Sequence, residues 1–319
     1  MGRAPADAAP GARHPSTVAS GRYRTQVGSH GVKDRVVRRA LTGYALLLPS
    51  LVGVGCFLLL PIVVVAWLSL HSWNLLGPRE FVGLRNWRAV LGDRDFGHAL
   101  LVTLVLAAIV VPLQTVLGFA VAAPLARRRG GGALRVVFAL PWMCAPLAVG
   151  VVWQWLFAPT GGVVNALLGR RIEWLADPAL ALPSVAAVSI WSNFGYVALF
   201  FVAGLRAIPQ DILDAGALDG ANGWRRVRFL LLPLLRPTMF FVLVTGVLTA
   251  FQTFDTVYAL TKGGPGDRTD VVAMRIFYEA FDAARPGRAA VMAIVVFAVI
   301  FTITLAQHRY FRNRTVYEY

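Results

Sequence analysis

The sequence predicts an all-α fold, a polytopic membrane helix bundle of six transmembrane helices. Composition is the first observation. Of the 319 residues 57% are hydrophobic and only 15% are charged, a mean hydropathy of +0.62, which exceeds what a water-soluble core needs. The second is the length of the apolar runs. Six of them, near residues 42–70, 99–126, 133–157, 181–205, 231–254 and 289–307, reach the roughly 20 residues that a helix rising about 1.5 Å per residue needs to cross about 30 Å of hydrocarbon. The third is the placement of charge. The N-terminal arm, the 126–135 loop, the 206–237 loop and the C-terminal tail hold 20 basic and 6 acidic residues, whereas the alternate loops hold 11 and 10. Lys and Arg gather on the cytoplasmic side of membrane proteins, so both termini and the 206–237 loop are expected there. The net charge of +15 then records topology, and no nucleic-acid partner is expected.

The elements follow in order. Residues 1–40 are polar, Arg-rich and rich in Gly, Ala and Pro, which predicts a disordered basic arm and no cleavable signal peptide. A region of six spans, with the 206–237 loop inside it, is expected over 41–308 and a short tail over 309–319. Prolines fall inside the apolar runs at Pro49, Pro61, Pro112, Pro141 and Pro146, so kinked spans are expected, with neighbouring helices satisfying the freed carbonyls. Cys56 and Cys144 also fall within apolar runs and read as small core residues rather than a disulfide. In the 206–237 loop Pro209 starts a short helix over about 210–218, with Asp211 and Asp214 near its positive end. Asp219-Gly220 stops it, and a second short helix through Trp224 leads into the fifth span. Beyond that span, Val271 to Ala284 reads as a short amphipathic helix offering Ile276, Phe277 and Phe281 to an interface, for a partner or for lipid.

Several chemistries are excluded. The two lysines, Lys33 and Lys262, follow Val32 and Thr261, so no Gly-Lys-Ser/Thr phosphate loop exists. The five histidines, His14, His30, His71, His98 and His308, never take the i, i+4 spacing of a helical metal site. The chain is therefore not expected to be an enzyme or to bind a metal. Ionisable residues are almost absent from the spans, which argues against a proton-driven carrier. Asp255, at the outer end of the fifth run, is the nearest candidate.

The stretch DAGALDGANGWRRVRFLLLP, Asp214 to Pro233, is polar although it lies between two of the most apolar runs. It resembles the cytoplasmic loop of the permease subunits of bacterial ATP-binding-cassette importers, whose pattern is E-A-A, three residues, G, nine residues, I-x-L-P. Here Asp214-Ala215-Gly216, then Gly220, then Leu230 to Leu232 and Pro233 keep the spacing. Asp replaces Glu, Gly replaces the second Ala and Leu replaces Ile. The segments WNLLGPREFVGLRNWRAVL, LRAIPQDILDAGALDGA and FQTFDTVYALTKGGPGDRT look like the carbohydrate-uptake branch of that family.

The resemblance implies a type I importer permease in the bacterial cytoplasmic membrane, moving a carbohydrate by alternating access. It implies that Asp214, Ala215, Gly216, Asp219, Gly220, Leu232 and Pro233 couple the chain to an ATPase, the ATP and magnesium being held by partner subunits. The implied partners are a second, different permease in a heterodimer, two ATP-binding subunits and an external solute-binding protein. A glycerol-phosphate or glycerophosphodiester permease of the same architecture is the alternative. A membrane scaffold or sensor that recruits a cytoplasmic partner is another. For the solute path, Asn193 with Tyr196 and Gln252 with Asp255 each stand three residues apart, on one face if helical. Trp191, Phe251, Phe254 and Tyr258 are available to stack on a sugar ring. Interhelical hydrogen bonding is the competing role of these polar groups.

Overall fold

The structure is a computed structural model that describes residues 46–127 and 132–312. The expected basic arm at 1–40, the Arg128–Arg129 part of the basic loop and the tail beyond Arg312 lie outside these residues. Within them four helices are long and apolar enough to span a membrane: α1, Leu46–Ser69; α3, Arg94–Arg127; α7, Ala181–Ala207; and α13, Pro286–Arg312. Two bent pairs complete the set if each counts as one span. They are α4, Gly132–Met143, with α5, Pro146–Leu156, and α9, Trp224–Leu234, with α10, Arg236–Phe251.

The 133–157 run carries the kink expected of its prolines, and the 231–254 run is bent as well. Between α4 and α5 the chain turns by 91°, because Ala145 takes an extended conformation (φ −59°, ψ 126°) before Pro146, as a residue preceding proline prefers. Between α9 and α10 it turns by 75° at Leu235 (φ −87°, ψ 6°), ahead of Pro237 in the first turn of α10. Pro112 and Pro124, by contrast, remain inside α3. A π-helical turn, Gly55–Leu59, interrupts α1, and another, Val227–Leu231, interrupts α9.

The chain divides between Leu59 and Leu60 into two compact units. In the first unit the described part is the apolar start of α1, with exposed leucines from Leu46 to Leu59. In the second unit α3 is the spine, since all three hydrophobic clusters include its residues. Val90, Phe96, Val111, Val272 and Met292 gather α2 (Arg85–Leu91), α3, α12 (Val272–Phe277) and α13. Leu106, Val149, Val188 and Val257 gather α3, α5, α7 and α11 (Asp255–Leu260). Ala122, Phe201, Leu231 and Leu235 join α3 and α7 to the end of α9.

On the side where α3 begins, a two-residue hairpin pairs β1 (His71–Ser72) with β2 (Glu80–Phe81), and the short α6 (Val163–Leu168) is held by buried Asn165. That amide accepts from the Trp174 indole N–H at 2.8 Å and donates to the Ile172 carbonyl at 2.9 Å.

The cysteine expectation is corrected. Cys56 and Cys144 are free, as expected, but both are exposed rather than in the core: Cys56 lies in a helix, where an apolar residue is solvated as readily by lipid as by protein, and Cys144 lies in the break between α4 and α5.

Candidate functional site

Two features stand out, a hairpin and a cavity, and α7 and α10 connect them. The hairpin is α8 (Gln210–Leu218) followed by α9. Pro209 caps α8 in an extended conformation. Its end is a Schellman turn: the Ala221 N–H donates to the Gly216 carbonyl at 2.8 Å and the Gly220 N–H to the Ala217 carbonyl at 3.1 Å. Gly220 makes this possible with φ +76°. The replacement of Ala by Gly at 216 also has a local reason, since a Cβ there would stand 2.9 Å from the Leu230 Cδ2 methyl. Asp214 is exposed and accepts a hydrogen bond from the Gln210 amide at 2.9 Å.

No residue of α8 is buried. Leu205, Ile208, Leu213 and Val227 back the hairpin against the inner cluster, while Leu218 is 90% and Trp224 70% exposed. Two large apolar side chains therefore stand out from a short hairpin whose three Asp and three Arg balance. The exposure of these two was not anticipated from the sequence. Gly220 and Asp219 lie at the exposed turn, whereas Leu232 and Pro233 fall in the helix behind it, half-buried.

The cavity has a volume of about 230 Å³ and lies where α4 breaks into α5, against α7 and the end of α10. Its polar lining is Ser189, Ser192, Asn193, Thr249, Gln252, Thr253, Asp255 and Thr256, and its ring-bearing walls are Trp142, Phe254, Pro141 and Pro146. Glycine sets the spacing of the surrounding helices. A Cβ on Gly195 of α7 would come within 1.7 Å of the Phe138 carbonyl of α4, and one on Gly150 of α5 within 2.5 Å of Ala259 Cβ in α11. Small residues at such crossings let membrane helices pack closely.

Three of the four candidate path residues, Asn193, Gln252 and Asp255, meet at this cavity. Tyr196 does not line it; the phenol ring stacks on Trp142 at 4.4 Å and meets Phe200 edge-on at 4.8 Å. Gln252 and Asp255 converge for a reason other than helical spacing. Helix α10 ends at Phe251, Gln252 caps it, and α11 starts only at Asp255. Asp255 stands just past the end of the fifth run, as expected, and shares its cavity with Asn193, the thirteenth of the 27 residues of α7.

Among the expected stacking residues Phe254 lines the cavity, Phe251 is buried in a hydrophobic cluster and Trp191 packs edge-on to Trp153. Tyr258 stacks on Phe254 at 5.4 Å. Trp142 and the serines and threonines were not anticipated. Ser189 in particular is 6% exposed, and its hydroxyl is a buried group with no partner among the described residues.

The outer helix is also corrected. Ile276 packs against the α2, α3 and α13 cluster and Phe277 against Phe254 at 5.0 Å, leaving Phe281 exposed. Around it, Arg275 pairs with Asp95 and lies 3.8 Å from Asp270, and Arg288 pairs with Asp93. Burial pushes the Asp270 carboxyl up to about 6, and Asp267 and Asp95 add to the effect against Arg275 and His98.

A kinked apolar bundle with a polar cavity at the middle of α7 and at the breaks of its neighbours, and an exposed turn joining two of its helices, fits a membrane transport component. Comparison with known proteins names the family. Residues 114–317 match the family "Binding-protein-dependent transport system inner membrane component", and the chain belongs to it. It is 31% identical to the trehalose/maltose transport system permease protein MalF of Thermococcus litoralis, over 84% of this chain and 92% of that protein. It is 32% identical to the sn-glycerol-3-phosphate transport system permease protein UgpA of Agrobacterium fabrum, over 86% of this chain and 96% of that one. It is 36% identical to the probable ABC transporter permease protein YesP of Bacillus subtilis, over 86% and 91%. In fold it is similar to a chain of the bacterial alginate ABC transporter solved in complex with an alginate pentasaccharide-bound periplasmic protein, with a TM-score of 0.75 and 20% identity, over 86% of this chain and 95% of that chain.

Proposed function

We propose that this chain is a permease subunit that passes a carbohydrate through the cytoplasmic membrane, with both termini and the α8–α9 hairpin on the cytoplasmic side. The observation that carries the reading is the cavity halfway along α7, whose amides and hydroxyls match the donors and acceptors of sugar hydroxyls and whose rings offer apolar faces. A relative named for trehalose/maltose transport supports it. The hairpin docks into an ATPase subunit through Asp214, Ala215, Gly216, Asp219 and Gly220, with Leu218 and Trp224 as apolar anchors, while Leu232 and Pro233 fix the helix behind it. The solute meets Asn193, Gln252 and Asp255; Tyr196 supports Trp142 behind the wall. A second, different permease completes the path, two ATPases hold the ATP and magnesium, and an external binding protein delivers the solute.

The test is reconstitution. The chain alone in vesicles should neither hydrolyse ATP nor concentrate sugar, and the complex with its permease, ATPase and binding-protein partners should do both. Solute-stimulated hydrolysis by this polypeptide by itself would refute the subunit assignment. A complex that assembles but moves no solute would favour a scaffold or sensor.

A further inference from the structure

We infer that the cavity is an anion-excluding site, built for uncharged saccharides and set against uronates and phosphate esters by the carboxylate of Asp255. The inference rests on the cavity being the solute path and adds the charge class of the solute. Asp255 is the sole formally charged residue of the lining, and no Arg, Lys or His accompanies it there. No described residue gives its carboxylate an ion pair or a hydrogen bond. The remaining polar lining is neutral, and the unpartnered, nine-tenths buried hydroxyl of Ser189 is available to a ligand hydroxyl. Sites that hold carboxylates or phosphates supply guanidinium or ammonium groups. Asp255 is itself exposed, and an acidic solute in the cavity would bring a second negative charge beside the first, with no cation in the lining to offset it.

The cavity carries its own reporter. Cys144 is a free thiol in the lining, and because the chain has two cysteines, Cys56→Ala leaves it as this subunit's single thiol. In the assembled complex, the rate at which a cationic methanethiosulfonate (trimethylammonium-ethyl) modifies Cys144 is compared with that of its anionic sulfonate-ethyl counterpart, each normalised to a small free thiol. The normalised ratio should favour the cation. Asp255→Asn should lower it severalfold, the scale of one unpaired, solvent-exposed charge a few ångströms away, and Asp255→Glu should retain it. A ratio unmoved by Asp255→Asn would overturn the charge assignment. The underlying path reading is tested separately with the same reagents. Rates should differ between the nucleotide-free complex and the complex trapped with ATP and vanadate, and equal rates in the two states would overturn the path reading even with the charge effect intact.

Discussion

Gly220→Val separates coupling from folding. The residue sits at φ +76°, and an added Cβ would find no atom within 4 Å. Steric overlap therefore contributes nothing, and the cost is the left-handed conformation itself, about 1–2 kcal/mol for a residue with a Cβ, with a β-branched side chain at the upper end. That strain is confined to one exposed turn, whereas the helices behind it are fixed by three hydrophobic clusters. The variant should reach the membrane in normal amount. What it loses is the Schellman turn, whose two hydrogen bonds hold the end of α8 and with it the exposed Leu218. Asp214→Lys should act at the same surface by reversing a charge and breaking the bond from Gln210. Membrane abundance, co-purifying ATPase and sugar uptake are measured together for the whole complex. Normal abundance with uptake reduced by tenfold or more, and ATPase either weakly bound or indifferent to solute, is the expected outcome. Wild-type uptake by both variants would show the hairpin to be a plain connector, and loss of the protein from the membrane would show that it serves folding.

Alanine at Asn193 or Gln252 should lower uptake while assembly persists, since leaving a buried sugar hydroxyl unpaired costs about 1–3 kcal/mol, or roughly five- to 150-fold; wild-type rates in both would place the site elsewhere. Gly195→Ala should instead fail to accumulate, because its Cβ would lie 1.7 Å from the Phe138 carbonyl and backbone cannot yield as a flexible side chain can; normal amounts in detergent size-exclusion profiles would contradict that packing. Burial raises the Asp270 carboxyl from 3.8 to about 6, so the folded segment binds a proton more tightly than the unfolded one. Its stability should be full below about pH 4 and fall as pH rises to about 6. Hydrogen exchange of residues 262–285 should show that loss, and Asp270→Asn should abolish it.

The hairpin was legible because its signals are local: proline at the start, Asp-Gly at the stop and a fixed spacing to Pro233. Turn chemistry of that kind does not depend on what packs nearby. The cavity was legible only in part. Asn193 and Tyr196 are three residues apart, but at 3.6 residues per turn they diverge by about 60°, enough for the cavity's edge to fall between them. Gln252 and Asp255 belong at the site although the helical spacing that paired them does not exist there. Trp142 and Cys144 escaped notice because the contribution of α4 depends on the size of the bend at Pro146, and a proline in a sequence announces a break without its angle. Ser189 carries no distinguishing pattern at all. Its importance appears only once burial and the lack of a partner are known.

The connection between the two features gives the proposed coupling a mechanical route. α7 lines the cavity with Ser189, Ser192 and Asn193 and leads directly through Ile208 and Pro209 into α8. On the other side α9 leads into α10, which lines the cavity with Thr249 and ends at Gln252. The hairpin is thus the link between two helices whose far portions form facing parts of one wall. At about 1.5 Å per residue, Asn193 stands roughly 20 Å from the end of α7 and Thr249 roughly 20 Å from the start of α10, so the two levers are of similar length. They are not equally anchored: α7 supplies four of the nine buried residues of the cluster behind the hairpin and α10 only Val242, and α10 is separated from the hairpin by the 75° turn at Leu235. A displacement imposed at α8 therefore meets a stiff connection on one side and a bend on the other, and the difference between them becomes relative motion of Asn193 and Gln252 across the cavity.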